Sequence, residues 1–237
     1  MGFDHPSGLR LDLMHAIQKM PSLSASNVTT SGLDAEGFEK LARSRLRSSP
    51  PALEEARSPG DDDLNPESER IAGNLRPAAV LIPIVARTPL SMILTERTEH
   101  LPSHAGQIAF PGGKVETYDD GPLAAALREA QEEIALDPAF VAPLGYLPAY
   151  RTGTGFIVTP VVALVRPGFT LKRDPAEVAD VFEVPFHFLM DEANHKIDSR
   201  IRNGTERRFY AMPYGERYIW GATAGIIRTL YRRLFTA

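Results

Sequence analysis

The chain has 237 residues, of which 43% are hydrophobic and 24% are charged, and its formal net charge is −4. This size and apolar content suffice for one well-packed core, while the acidic balance argues against nucleic acid as a partner. The absence of cysteine excludes disulfides, thiolate metal sites and a cysteine nucleophile, and it fits a reducing, cytoplasmic setting. No apolar run approaches the roughly 20 residues of a membrane span, and the N-terminus lacks the pattern of a secretory signal.

The N-terminal third is predicted to hold little regular structure. Residues 1–33 are polar and rich in small side chains, so we expect a mobile tail. A helix is predicted over 34–47, because apolar side chains recur there at helical spacing. These side chains are Phe38, Leu41, Ala42 and Leu46. Proline, serine and aspartate dominate 48–67, which predicts an extended linker. The chain therefore divides into a tail (1–33), a helix with its linker (34–75) and a domain (76–237).

The domain is predicted to contain a sheet with flanking helices. The continuous apolar run Ala78–Val85 predicts a buried strand, with Leu90–Thr95 as its hairpin partner. Further strands are expected at Gln107–Phe110, Ala142–Ala149, Phe156–Val165, Val181–Pro185 and Arg208–Met212. One helical turn is predicted over His187–Met190. The last helix is expected to open at Tyr218–Ala224 and to run to about Phe235, with Trp220 in the core.

The most informative segment, 113–136, sets a glycine turn before a helix with an acidic face. Glu129, Glu132 and Glu133 are three or four residues apart, so they share one side of the helix. Carboxylates crowded in this way repel one another, and their oxygens are the ligands that Mg²⁺ and Mn²⁺ prefer. The opposite face carries an apolar stripe of Leu123, Leu127, Ala130 and Ile134. The pattern predicts a divalent-metal site, and a merely solvated acidic face is the alternative.

This segment resembles the Nudix box, whose pattern is G, five residues, E, seven residues and then R-E-apolar-x-E-E-x-G-apolar. Gly113 matches the glycine, and residues 128–133 match the R-E-apolar-x-E-E core. Asp119 stands at the first acidic position, the loop from there to Arg128 is one residue longer, and Ala135 replaces the closing glycine. We expect the shorter carboxylate and the longer loop to offset each other and to keep an Asp119–Arg128 salt bridge.

A second motif lies immediately upstream. The run LTERT at 94–98, followed by HAGQIAFPGG at 104–113, is similar to the motif LLTxRSx3Rx3GxxxFPGG of the coenzyme A pyrophosphatase branch of the Nudix hydrolases. Thr98 stands for the serine of that motif, and Pro102 stands for its second arginine. The longer loop of the box also resembles this branch. The resemblance spans roughly 76–234, which is most of the chain.

The resemblance implies a fold and an activity. The fold is α/β, the Nudix α/β/α sandwich with a mixed central sheet, here preceded by an N-terminal helix and an extended linker. The activity is metal-dependent hydrolysis of the diphosphate of coenzyme A or its thioesters to 3′,5′-ADP and 4′-phosphopantetheine or its acyl form. The alternatives are a Nudix hydrolase of another nucleoside diphosphate derivative (a nucleotide sugar, a dinucleotide or a dNTP) and a non-catalytic Nudix-fold ligand sensor.

The resemblance also implies roles for particular residues. Catalysis is assigned to Arg128, Glu129, Glu132 and Glu133. Mg²⁺ or Mn²⁺ is expected on the three glutamates with the carbonyl of Gly113, and Glu129 is a candidate general base. Asp119 is expected to give structural support. Substrate contacts are expected from Arg97, His104, Gln107 and Gly112.

Several alternatives stay open at this point. His104 and Gln107 fit substrate binding or bracing of their loop equally well. Glu177 fits an additional metal ligand or base, or an exposed residue at a helix start. The identity of the metal, the preferred form of coenzyme A and a homodimer are also left open.

Overall fold

The computed structural model describes residues 32–52, 64–65, 75–101, 104–202 and 204–236. The predicted tail up to residue 31, most of the predicted linker and Pro102 lie outside the described residues. No helix within the described residues has the length and apolar character needed to cross a membrane.

The described elements follow one another with few long connections. In chain order they are α1 (Ala35–Arg45), β1 (Arg76–Val85), β2 (Ser91–Arg97), β3 (Ile108–Ala109), β4 (Gly112–Lys114), α2 (Gly121–Ile134), β5 (Val141–Tyr146), β6 (Tyr150–Arg151), β7 (Phe156–Val165), β8 (Val178–Pro185), α3 (Phe186–Leu189), β9 (Lys196–Arg202), β10 (Thr205–Tyr214), β11 (Arg217–Trp220) and α4 (Ala222–Phe235). Single 3₁₀ turns lie at Pro138–Phe140 and Glu192–Asn194.

The main sheet is built on β1. This strand runs parallel to β7 along its whole length, from the pair Arg76–Phe156 to the pair Val85–Val165. Strands β2 and β4 lie antiparallel to β1, and the strand order is β3-β2-β1-β7-β5. Outside this path β4 pairs with β1, β6 with β7 and β8 with β2. The sheet is therefore mixed, as the resemblance implied.

Both faces of this sheet are covered, because side chains of β1 alternate between two apolar clusters. Leu81 packs on the side of α2, whereas Ile82 packs on the side of α1 and α4. Helix α2 buries its predicted stripe through Ala130 and Ile134. On the other side the Phe38 ring of α1 meets Phe186 edge-on, with the ring centroids 5.1 Å apart. These layers confirm the predicted α/β/α sandwich.

The C-terminal region differs from the prediction. Residues 218–220 belong to strand β11, so the predicted start of the last helix there is wrong, and α4 begins at Ala222. A short apolar run does not distinguish a strand from a helix, and here pairing of Ile219 with Met212 of β10 decides for the strand. Strand β9 was not predicted. Trp220 is half-buried rather than in the core, and the Arg200 guanidinium lies 4.2 Å from its ring.

The predicted strand 142–149 ends early, because β5 stops at Tyr146 and the next strand, β6, begins only at Tyr150. Pro148 lies between them and has no N–H to donate to a ladder, which ends regular pairing there. The chain stays attached to β7 through Leu147, whose N–H donates to the Pro160 carbonyl at 3.1 Å. The break leaves β6 beside the turn that leads into β7.

Candidate active site

Helix α2 carries the acidic face and is held at both ends by the local sequence. Pro122 lies in its first turn, where a missing N–H costs no helical hydrogen bond. At the other end Ala135 adopts the left-handed conformation with φ 53°, and its N–H donates to the Gln131 carbonyl. No basic residue lies in the last turn, so the partial negative charge of the helix C-terminus adds to that of the carboxylates.

Glu133 is the most buried of these carboxylates, with 5% of the residue exposed. One oxygen accepts a hydrogen bond from the Gly112 N–H at 3.2 Å, and the other lies 3.8 Å from Nη1 of Arg97. Burial raises the pKa of Glu133 to about 8, and these two contacts only partly oppose that shift. Nε of Arg97 is itself buried and has no hydrogen-bond partner among the described residues. Both sequence motifs therefore meet at one desolvated carboxylate.

The glycine turn exists to let the chain approach this face closely. A β-carbon on Gly113 would collide with the carboxylate of Glu129, and one on Gly112 would collide with the Ala79 carbonyl of β1. The antiparallel pairing of β4 with β1 brings Gly112 to the Ala79 carbonyl, whereas Gly113 lies against Glu129 of α2. Burial also raises the pKa of Glu129, against an opposing effect of Arg128.

Arg128 organises the exposed part of the face. Its guanidinium forms a bidentate pair with Asp119 through two hydrogen bonds of 2.9 Å. Nη1 donates to Glu129 at 2.8 Å and to Glu132 at 2.9 Å. The hydrogen bonds from Arg128 hold the pKa of Asp119 below its usual value. The Asp119–Arg128 salt bridge expected from the sequence is present, and the longer loop accommodates it.

The acidic residues have the chemistry of a metal site but not yet its geometry. Among the described residues, no three acidic or histidine side chains converge where one ion could contact them all. Glu132 turns toward Arg128, and 60% of its side chain is exposed. Glu129 and Glu133 nevertheless fit a hard divalent cation. Burial raises the pKa of both carboxyl groups, which means that the surroundings do not fully stabilise their negative charge. A divalent cation with oxygen ligands would supply the missing positive charge.

His104 and Gln107 contact each other. Nδ1 of His104 lies 2.7 Å from Oε1 of Gln107, and the Gln107 carbonyl accepts from the Arg97 N–H at 3.0 Å. No hydrogen bond or ion pair joins either side chain to the carboxylates of α2 within the described residues. This arrangement favours bracing of the loop between β2 and β3 over direct contact with the acidic face.

Glu177, the possible additional metal ligand, lies near the site. Its charge contributes to the raised pKa of both Glu129 and Glu133, so it lies near both. The cause is the pairing of β2 with β8, which brings the start of β8 beside Arg97. No local pattern distinguished this glutamate from Glu183, which instead pairs with Arg87 through two 3.1 Å hydrogen bonds.

A groove of about 610 Å³ lies elsewhere, between the C-terminal ends of α1 and α4. Its lining residues are Ser44, Arg45, Pro148, Thr229, Arg232, Arg233 and Thr236, and none of them is acidic. Arg233 donates from Nε to the Arg45 carbonyl, so part of the positive charge already caps α1. We assign the candidate site to α2 because its carboxylates can bind a divalent cation. The volume of the groove alone is no reason to assign the site there.

This chain is similar to several known proteins. Residues 75–204, more than half of the chain, match the family profile described as the NUDIX domain. The Escherichia coli (strain K12) protein described as the uncharacterized Nudix hydrolase NudL is 43% identical over 167 residues, which cover 70% of this chain and 87% of that protein. Among solved structures, DR0079 from Deinococcus radiodurans has a TM-score of 0.45 at 16% identity and covers 70% of this chain and 91% of its own. The C. elegans Ap4A hydrolase has a TM-score of 0.41 at 17% identity and covers 46% and 80%.

Proposed function

This chain belongs to the Nudix family and is a Nudix hydrolase acting on a diphosphate substrate, and we propose that this substrate is coenzyme A or a coenzyme A thioester. The proposed products are 3′,5′-ADP and 4′-phosphopantetheine or its acyl form. One observation carries the proposal: Arg97, from the motif that resembles the coenzyme A branch, lies 3.8 Å from Glu133 of the Nudix box. The upstream motif thus contributes to the same site as the acidic helix.

Nudix hydrolases generally use divalent cations, and we propose Mg²⁺ or Mn²⁺ here. Glu129, Glu133 and the backbone of Gly113 would hold the ion, and Glu132 would join them by exchanging its contact with Arg128. When bound, such an ion neutralises charge on phosphate oxygens and lowers the pKa of its water. The basic partner of Glu133 is 3.8 Å away, which leaves this carboxylate available as a ligand.

The remaining chemistry is assigned to side chains. Water attacks one phosphorus atom, the bridging P–O bond breaks, and the leaving phosphate keeps the electron pair of that bond. We assign acceptance of the water proton to Glu129, which Arg128 orients through its 2.8 Å hydrogen bond. We assign a contact with the phosphate oxygens to Arg97, because its buried Nε donor is unused among the described residues.

A substrate panel tests the proposal directly. The full chain is incubated with Mg²⁺ or Mn²⁺ and with coenzyme A, acetyl-coenzyme A, ADP-ribose, NADH, Ap4A or dNTPs, and products are identified by mass. We expect the highest kcat/KM for coenzyme A or its thioester, with 3′,5′-ADP as a product. Turnover of another nucleoside diphosphate without turnover of any coenzyme A form would reject this substrate while leaving the hydrolase assignment intact.

The role of Glu133 is tested by Glu133→Gln. The amide keeps the size of the side chain but loses a charged metal ligand, so we expect kcat to fall by roughly 100-fold or more. Glu183→Gln is the matched control, since that glutamate pairs with Arg87 outside the site. We expect the control to keep near wild-type activity, and circular dichroism checks that both variants fold. Full activity of Glu133→Gln would reject the metal assignment.

A further inference from the structure

The small sheet has an open edge. Its strand order is β11-β10-β9, so β9 is an outer strand. It pairs with β10 from the pair Lys196–Ala211 to the pair Arg202–Thr205. In the part of the chain that the structure describes, no strand pairs with the other side of β9. An edge of this length normally needs protection or a partner.

Asn65 reveals which backbone groups point to that edge. The Arg208 N–H donates to Oδ1 of Asn65 at 2.8 Å, and the Arg208 carbonyl accepts from Nδ2 at 2.8 Å. The polar backbone groups of Arg208 therefore point away from β9. In an antiparallel pair of strands, two opposite residues that do not hydrogen-bond to each other direct their N–H and carbonyl groups away from each other. Ser199 lies opposite Arg208, so the N–H and carbonyl of Ser199 point to the open edge. By alternation Ile197 and Ile201 do the same.

The same strand exposes two isoleucines. Ile197 is 57% exposed and Ile201 is 80% exposed, and they are two of the three large hydrophobic side chains found exposed among the described residues. Since side chains alternate along a strand, both lie on one face. Exposed apolar side chains beside unpaired backbone groups are typical of a surface that adds another strand.

The sequence of β9 is complementary to itself. If a second copy of β9 lies antiparallel across a two-fold axis at Ser199, Ile197 faces Ile201 of the partner subunit, and Asp198 faces Arg200 of the partner subunit. Each pair occurs twice by symmetry. An axis at Asp198 or at Arg200 would instead set like charges directly opposite each other, which is destabilising. The register centred at Ser199 is the one that pairs the isoleucines with each other and also sets Asp198 opposite Arg200.

We propose that the outer edge of β9 is a homodimer interface, in which two copies join their small sheets into one antiparallel sheet. The outward groups of residues 197, 199 and 201 would form about six backbone hydrogen bonds across the axis. The Ser199 N–H at present reaches Oδ1 of Asp198 at 2.7 Å, and pairing would exchange that carboxylate for the partner strand. The released carboxylate then meets the partner's Arg200.

A proline substitution tests the backbone part of this interface. Ser199→Pro removes an N–H that points outward and leaves the ladder with β10 intact. By sedimentation equilibrium at tens of micromolar, the wild-type chain of 26.0 kDa is expected at twice its monomer mass. We expect Ser199→Pro to raise the dimer dissociation constant at least tenfold, whereas Ser199→Ala, which keeps the N–H, should leave it nearly unchanged.

Charge exchange tests the register independently. Asp198→Arg or Arg200→Asp alone sets like charges across the axis and should weaken the dimer at least tenfold, while the double exchange should restore it. Thermal unfolding of each variant checks the hairpin, because Asp198 accepts a hydrogen bond from Tyr218 within the subunit. A monomeric wild type overturns the proposal. A dimer dissociation constant that changes neither with Ser199→Pro nor with the single exchanges also overturns it. The same holds if the double exchange does not restore the dimer.

Discussion

At the scale of single residues, Arg128 compensates part of the negative charge of the acidic face. By their spacing, three carboxylates share one helix face and repel one another, and a bound cation would relieve that repulsion. In the folded chain Arg128 already relieves part of it, through hydrogen bonds of 2.8 Å to Glu129 and 2.9 Å to Glu132. Glu133 has no comparable partner, and burial raises its pKa to about 8. The negative charge without a close positive partner is therefore concentrated at Glu133, the buried end of the acidic face.

This distribution predicts a pH dependence of stability for the metal-free protein. The folded-state pKa of Glu133, about 8, lies above its usual value of 4.5, so the folded state binds the proton more tightly. The contribution is fully present below about pH 4.5 and is lost as the pH rises through about 8, with a slope of up to about 1.4 kcal/mol per pH unit. Urea unfolding in chelator at several pH values measures it. Glu133→Gln should flatten the profile, and identical slopes would contradict the prediction.

Asp119 is expected to act by positioning Arg128. Asp119→Asn breaks a bidentate charged pair whose carboxylate is almost fully buried, so we expect the unfolding free energy to fall by about 2 kcal/mol. We also expect kcat to fall, because Arg128 loses the partner that orients it toward Glu129. Asp120→Asn is the control, since Asp120 makes no side-chain cap with α2. Equal stability and activity of the two variants would show that the pair does not position Arg128.

At the scale of elements, the end of α2 shows how a departure from the family pattern is tolerated. The left-handed position after the helix is normally filled by glycine, which has no β-carbon to strain. Here Ala135 occupies it with φ 53°. The helix keeps its length and its terminal hydrogen bonds, so the cost is local strain rather than a shifted acidic face.

That strain predicts a stabilising substitution. Ala135→Gly should raise the unfolding free energy by roughly 1 kcal/mol, because left-handed backbone costs alanine about that much. Ala124→Gly, within the same helix, should lower it by a similar amount. Urea denaturation of both variants measures the difference. A destabilised Ala135→Gly would mean that the alanine methyl group contributes packing that outweighs its backbone strain.

At the scale of the whole molecule, α1 belongs to the main core although the sequence separated it from the domain. Phe38 is fully buried against Phe186, and the chain after the helix bridges to β5 through Arg47 and Tyr146. Helix α1 and helix α4 together cover the face of the sheet opposite α2. The N-terminal helix is therefore part of one layer of the sandwich.

This packing predicts one cooperative unfolding transition. Phe38→Ala should lower the unfolding free energy by about 3–5 kcal/mol, through lost burial and the cavity left behind. Lys40→Ala, on the exposed side of α1, should change it by less than about 0.5 kcal/mol. Urea unfolding followed by fluorescence and by circular dichroism measures both variants. A small early transition that alone responds to Phe38→Ala would indicate that α1 unfolds separately.

Local patterns alone determined much of this protein. Periodicity is a property of neighbouring residues, so the central strands, helix α2 and its acidic face could be predicted. Gly113 and residues 128–133 carried the resemblance to the Nudix box. Only the tertiary structure decided what depends on pairing between distant segments. It assigned 218–220 to a strand through β10, brought Glu177 near Glu133 through the pairing of β2 with β8, and left the edge of β9 open. Burial is also set by the whole fold. For this reason Glu129, Glu132 and Glu133, which share one face of α2, differ in how closely a positive charge lies to each carboxylate.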